Sequence, residues 1–150
     1  MDIIIKKVGL EDIASLVSLF DKYMVFYKKP SNKKLYQSYL KERIQNSEAT
    51  VFLAFNSQNE AIGFVLNYFS FSSVSQGKIV ILNDLFVDSE YRKNGVAETL
   101  IQKSIDLAEK VDAVKVDLGT AKDNYGAQRL YERLGFAKDN EFFAYSYLIS

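Results

Sequence analysis

The sequence predicts an α/β domain of 150 residues, with helices packed around one mixed sheet. Three observations carry that expectation. Apolar runs of strand character alternate along the chain with segments of helical period. One proline, no repeat and no low-complexity tract leave no linker, so residues 1–150 read as a single domain. A hydrophobic fraction of 48% with 25% charged residues is enough to build a core and excludes a disordered chain.

Ile3-Ile4-Ile5 with Val8 reads as the first strand. From Leu10 to Phe26, Ile13, Leu16, Val17, Leu19 and Phe20 fall at helical spacing, with Glu11 and Asp12 in the first turn where the helix dipole favours acids. Pro30 breaks the chain, and Ser31 is the expected N-cap of a second helix through Leu35, Tyr39, Leu40 and Ile44. Strand patterns follow over residues 50–55, 61–71 and 78–87, with the polar segment 72–77 as a hairpin loop. Val96, Ala97, Leu100, Ile101, Ile105, Ala108 and Val111 form the apolar stripe of a third helix. Val114, Val116 and Leu118 alternate as a strand, and Asn124 caps a short helix that Gly135 stops. Two more strand patterns, around Phe136 and over residues 142–149, give the order β-α-α-β-β-β-α-β-α-β-β.

Composition narrows the function. Nineteen basic and nineteen acidic residues balance, which argues against nucleic acid as the main partner. Without cysteine there is no disulfide, thiol nucleophile or thiolate metal site, and without histidine the commonest base and metal ligand are missing. No metal is expected. Proton chemistry falls to carboxylates, tyrosines, lysines or water. No apolar run approaches the ~20 residues of a membrane span, and no leader pattern follows Met1, so a cytoplasmic chain without membrane contact is expected.

Two blocks carry chemistry. Arg92-Lys93-Asn94-Gly95-Val96-Ala97 follows a strand and opens a helix; unpaired N–H groups, the helix dipole and a glycine suit such a turn to an anion. Taken alone it reads more readily as a basic helix start with a glycine at a tight turn. It lacks the Lys-Ser/Thr of a nucleotide loop and the spaced glycines of a dinucleotide turn. In Asn124 through Phe136, Gly126 and Ala127 leave room beside a capped first turn, and Tyr131 lies two turns on, where a core tyrosine with a satisfied hydroxyl is the ordinary alternative.

With Leu82-Asn83-Asp84-Leu85-Phe86-Val87, these segments resemble the GNAT superfamily of acyl-CoA-dependent N-acetyltransferases. The two blocks, Tyr91-Arg92-x-x-Gly95-x-Ala97 and Asn124…Tyr131-Glu132-x-x-Gly135-Phe136, span the second half of the chain. The resemblance implies a twisted, mostly antiparallel mixed sheet, acetyl-CoA as co-substrate and a homodimer. It implies that Leu85, Phe86 and Val87 meet the pantetheine and thioester, their backbone polarising the carbonyl. Arg92, Lys93, Asn94, Gly95, Val96 and Ala97 would cradle the pyrophosphate, and Asn124, Gly126 and Ala127 would lie along the pantetheine arm. Tyr131 would face the thioester sulfur as general acid; a phenol of ordinary pKa near ~10 keeps its proton at neutral pH. With no cysteine, transfer would run directly from thioester to amine in a ternary complex.

Gly63-Phe64…Tyr68-Phe69…Asp84-Leu85-Phe86-Val87 resembles the diamine and thialysine acetyltransferase branch. Asn83 stands where that branch carries an acid, and Lys28-Lys29 stand where its first helix ends acidic, so an amino-acid-like acceptor is equally open. Lys28 or Lys29 could pair with such an acceptor's carboxylate, against the commoner reading of surface lysines as solvated. Asp84 is the candidate base, acting through water, or else a structural carboxylate bonded to the loop; Glu90 is a weaker candidate. Phe26, Tyr27, Asn83 and Asp84 are expected at the acceptor, with Tyr23, Tyr68 and Phe71 as further aromatic lining. Acetylation of a peptide or protein, and CoA binding without transfer, are the alternative functions.

Overall fold

The computed structural model describes residues 2–150, which form two compact units divided between Leu118 and Gly119. The first unit holds one five-stranded sheet in the order β1(Ile4–Lys7), β2(Ala49–Phe55), β3(Ala61–Ser72), β4(Gly77–Val87), β5(Lys115–Leu118). Neighbours pair antiparallel except β4 and β5, which run parallel from Ile79↔Lys115 to Leu82↔Leu118. The mixed, mostly antiparallel sheet expected from the sequence is therefore present. Between β4 and β5 the chain crosses over through helix α3(Val96–Lys110), as a parallel connection requires.

Helices α1(Ile13–Phe26) and α2(Lys33–Gln45) bury Ile13, Leu16, Val17, Leu19 and Phe20, and Tyr36 and Leu40, in one core with Val51, Leu53, Phe64, Leu66 and Phe86 of the sheet. Each large side chain taken out of water here contributes roughly 1.5–3 kcal/mol. The hydroxyl of Ser104, on α3, donates to Oδ1 of Asn67 on β3 at 2.8 Å, and the Asn67 amide donates to the Thr50 carbonyl at 3.2 Å. Both ends of a fully buried carboxamide are thus satisfied, which marks the α3 face of β3.

One extra residue sets the site. Leu66 opposes Asp84 while its neighbour Asn67 opposes Leu82, so Asn83 is a bulge in β4. Directly opposed residues share a face. Leu82 therefore joins Asn67 on the α3 side, and Asp84 joins Leu66 on the α1–α2 side. A regular strand would have put Asp84 beside Leu82.

The start of α2 shifts by one residue from the expected cap. Asn32, not Ser31, accepts the Leu35 N–H, at 3.1 Å. Ser31 is taken by the buried carboxylate of Asp21, which accepts from its hydroxyl at 2.7 Å and from the Asn32 N–H at 2.8 Å.

The second unit holds α4(Tyr125–Arg133). Asn124 caps it as expected, accepting the Ala127 N–H at 3.2 Å. At its end Gly135 adopts φ 103°, its N–H bonding Glu132 C=O at 3.1 Å and Phe136 N–H bonding Tyr131 C=O at 3.0 Å. That is a Schellman closure. Neither strand expected after α4 forms. The Phe136 amide is used by the helix end, and the Asp139 carboxylate takes the Glu141 and Phe142 amides at 2.8 and 3.3 Å. Local bonds take amides where each expected strand would begin, and Phe142, Phe143, Tyr145, Tyr147 and Leu148 stay exposed.

Candidate functional site

The site of the first unit is built on β4 beyond Leu82, where pairing with β5 ends. The Asp88 N–H donates to Ile62 C=O at 2.9 Å, so the backbone groups of Asp88 and Phe86 face β3. Alternation turns those of Leu85 and Val87 to the open edge, and Val87 C=O there accepts from Arg92 Nε at 3.0 Å. The Leu85 and Val87 N–H groups point the same way. An extended chain laid along this edge would find two donors in line.

The edge runs into the turn before α3. Lys93 and Gly95 have φ of 66° and 79°, both left-handed. The Asn94 side chain donates to the carbonyls of Tyr91 and Arg92 at 3.2 and 3.1 Å, and Thr99 Oγ1 donates to Gly95 C=O at 2.8 Å. Helix α3 starts at Val96, and among the described residues nothing lies within 4 Å of a side chain added at Gly95. Its first amides stand at the positive end of a helix 15 residues long, a setting that favours an anion.

On the α1–α2 face, Asp84 is fixed at both oxygens. Tyr23 Oη donates to Oδ1 at 2.7 Å and Asn83 Nδ2 to Oδ2 at 2.8 Å. The Tyr23 ring packs between Phe20, Tyr27, Phe64 and Phe86, with centroids 5.0–5.8 Å away. Phe26 touches Tyr27 and lies 5.1 Å under the guanidinium of Arg92. Phe26 and Phe86, with Asp21, Lys22, Val25, Ser31, Asp88, Ser89 and Arg92, line an open pocket of about 390 Å³. Lys22 Nζ meets Asp88 Oδ2 at 2.9 Å; that bond holds the Asp88 carboxyl below the ordinary carboxylate range and raises Lys22.

Of the other expected lining residues, Tyr68 stays on the Asp84 face, two positions along β3 from Leu66, while Phe71, Lys28 and Lys29 lie elsewhere. Tyr68 shares a 2.6 Å hydrogen bond with Tyr39, and burial together with that bond and the Asp84 charge pushes its phenol well above the ordinary value. Phe71 opposes Lys78 beside the hairpin, five positions along β3 from the partner of Asp84, and is exposed. Lys28 and Lys29 close α1 and do not line the pocket; Lys22 and Arg92 do. Tyr23 was expected only as lining, because its spacing from Leu16 and Phe20 marks a buried stripe and nothing local announces its bond to Asp84.

In the second unit, Asn124, Gly126 and Ala127 form the first turn of α4, with nothing among the described residues within 4 Å of a side chain added at Gly126. Tyr131 stands at the other end of the helix, its ring 5.9 Å from that of Phe136 at 62°.

The chain is similar along its length to known proteins. Residues 16–136 match the acetyltransferase (GNAT) family model. It is 36% identical over 141 residues to the uncharacterized N-acetyltransferase YhfO of Bacillus subtilis, covering 94% of each chain. A match of 43% over 61 residues links it to human N-alpha-acetyltransferase 30, covering 41% of this chain and 17% of that protein. A solved structure described as a probable acetyltransferase superposes with a TM-score of 0.91 at 36% identity, over 100% of this chain and 99% of the other. The fold, the matched family model and the full-length similarity to YhfO establish that this chain belongs to the GNAT family of N-acetyltransferases, whose acyl donor is acetyl-CoA.

Proposed function

We propose that the enzyme carries the acetyl group of acetyl-CoA directly to a small primary amine, a diamine, polyamine or amino-acid-like molecule, in a ternary complex. The bulge at Asn83 is the observation that carries this reading. It leaves the Leu85 and Val87 amides on an open edge while placing Asp84 on the opposite face, toward aromatic side chains. Donor and acceptor sides of one reaction are separated in that way by a single strand. The resemblance to the family assigns the pantetheine to Leu85 and Val87, and likewise to Asn124, Gly126 and Ala127. The pyrophosphate sits on the amides of the turn Arg92 to Ala97, since Arg92 Nε is engaged by Val87. Amine nitrogen attacks the thioester carbon and the C–S bond breaks. The thiolate takes a proton from Tyr131, and the amine's proton leaves through water held at Asp84. Such an enzyme works where acetyl-CoA is made, in the cytoplasm, and as a homodimer.

A thiol-release screen over polyamines, amino acids and aminoglycosides tests the reading. Tyr131→Phe should lower turnover by at least tenfold with little change in the KM for acetyl-CoA; unchanged turnover removes Tyr131 as the acid. Acetyl-CoA binding with no thiol release to any amine would leave only a binding module. The local similarity to N-alpha-acetyltransferase 30 favours a second reading, acetylation of a protein N-terminus. Thiol release with short peptides and with no free amine would select it.

A further inference from the structure

We propose that the hydroxyl pair Tyr68–Tyr39 is the way out for the proton that the acceptor amine gives up at Asp84, an inference that rests on the role proposed above for Asp84. Leu66 on β3 opposes Asp84, and Tyr68 stands two positions along the same face, as the diagonal neighbour of Asp84. Diagonal neighbours on one face lie within reach of a side chain as long as tyrosine. The Tyr68 hydroxyl shares a 2.6 Å hydrogen bond with that of Tyr39, on α2, and Tyr39 is exposed. Oxygen thus follows oxygen from the bulge of β4 toward the surface of α2.

The other two groups around Asp84 are placed differently. Tyr23 spends its proton on Oδ1 and sets its ring among Phe20, Phe64 and Phe86, on the core side. Asn83 meets Oδ2 with an amide N–H, which keeps its hydrogen. Between two hydroxyls one proton fills the shared bond and the second can be handed on. Burial, the Tyr39 bond and the Asp84 charge raise the Tyr68 phenol, so it stays protonated and passes protons by exchange. Arg43, held by Glu42 and Glu48 at 2.9 and 2.8 Å, lies 5.0 Å over the Tyr39 ring and fixes the outer member of the pair. The amine's proton passes to the water at Asp84, and that water gives one of its own to Tyr68 Oη. Tyr68 gives its proton to Tyr39 Oη, and Tyr39 gives its own to bulk water. Every oxygen ends with the protons it began with. In sum, ammonium and acetyl-CoA give amide, thiol and one proton released to solvent.

Tyr68→Phe and Tyr39→Phe keep the rings and remove the hydroxyls. With whichever polyamine, amino acid or short peptide is acetylated fastest, each should lower kcat by about tenfold and leave the KM for acetyl-CoA within about twofold. The double variant should fall no further than either single one, because both hydroxyls serve one path. Adding 1,2-dimethylimidazole, a tertiary base that forms no amide, should restore most of the lost rate and speed the wild type by less than about twofold. Tyr39 is exposed, so Tyr39→Phe serves as the folded variant if Tyr68→Phe unfolds. Wild-type kcat in both variants overturns the inference. So does a loss that the base does not relieve, which would make the pair structural. Asp84→Asn distinguishes the base from the relay. If it is slow while both tyrosine variants are fast, the relay falls and Asp84 stands. If it keeps wild-type kcat, Asp84 falls as the base and the relay falls with it. If only peptides are acetylated, the small-amine reading falls and the relay is judged on the peptide.

Discussion

The hydroxyl of Tyr23, on the inner face of α1, donates to Oδ1 of Asp84 at 2.7 Å and so ties the helix to the bulge of β4. Asn83 holds the other oxygen, so Asp84 has one lone pair per oxygen left for water or an amine. Tyr23→Phe keeps the rings that pack on Phe20, Phe64 and Phe86 and removes only the donor. Stability should fall by about 1 kcal/mol, read from the urea midpoint. On the proposed mechanism, kcat should drop by roughly 3–30-fold with the KM for acetyl-CoA unchanged, because a loosened Asp84 no longer holds water in place. Asp84→Asn should cost more, about a hundredfold or beyond. A Tyr23→Phe enzyme with wild-type kcat would show that the bond serves the fold alone.

Gly95 and Lys93 share the left-handed conformation, at φ 79° and 66°, yet only one is glycine. The open space at Gly95 means that Gly95→Ala meets no side chain and pays only for its dihedral, about 1–2 kcal/mol. Lys93→Gly should run the other way and gain up to about 1 kcal/mol. Gly95→Ala should also raise the KM for acetyl-CoA severalfold, because the methyl group stands where an anion would approach the amides of α3. Denaturation curves and donor titrations of the two variants check both signs.

How much of this was legible in the sequence follows the range of each interaction. The Asn124 cap and the Gly135 stop were readable because every partner lies within a few residues. The apolar stripes of α1 and α3 were readable because burial repeats with the helical period. Ser31 misled because its hydroxyl goes to Asp21, ten residues back, which leaves Asn32 to cap. The bulge left a fainter trace, the adjacent polar pair Asn83-Asp84 inside an apolar strand. One of two such neighbours must leave the buried face, but the pattern does not say which. The strands expected after Phe136 rested on alternation alone, and alternation supplies no ladder partner. The stacking of Arg92 on Phe26 joins positions 66 residues apart in sequence that no local pattern connects.

The Lys22–Asp88 pair predicts a pH dependence of stability. Its bond lowers the folded pKa of Asp88, so the stabilisation is complete above the unfolded value near ~3.9 and is lost as pH falls through the lower folded value. For Lys22 the folded pKa is raised, so its share is complete below ~10.4 and is lost as pH rises through the folded value. The plateau therefore lies between about pH 4 and 10. Lys22 is more than half exposed, so solvent screening limits the pair to below about 1 kcal/mol. Urea midpoints of wild type and Asp88→Asn should differ at pH 7 and converge near pH 2; a constant gap would assign the difference to packing.

Tyr131 and Phe136 are joined twice, by the Phe136 N–H to Tyr131 C=O bond at 3.0 Å and by their rings at 5.9 Å. Glycine at position 135, with φ 103°, is what lets the chain turn back to make both contacts. The spacing of Tyr131, Gly135 and Phe136 is thus a helix-stop geometry before it is anything else. Gly135→Ala forces a side chain into that dihedral and should cost about 1–2 kcal/mol of local stability, fraying the last turn of α4. Phe136→Ala removes the ring contact and keeps the backbone bond, so it should cost the helix end less, about 0.5–1.5 kcal/mol beyond lost burial. Hydrogen exchange at the amides of α4 separates the two. Gly135→Ala should speed exchange at the C-terminal turn, while Phe136→Ala should leave most of that protection and loosen the Tyr131 ring. If exchange in Gly135→Ala matched the wild type, the closure would not be what holds Tyr131 in place.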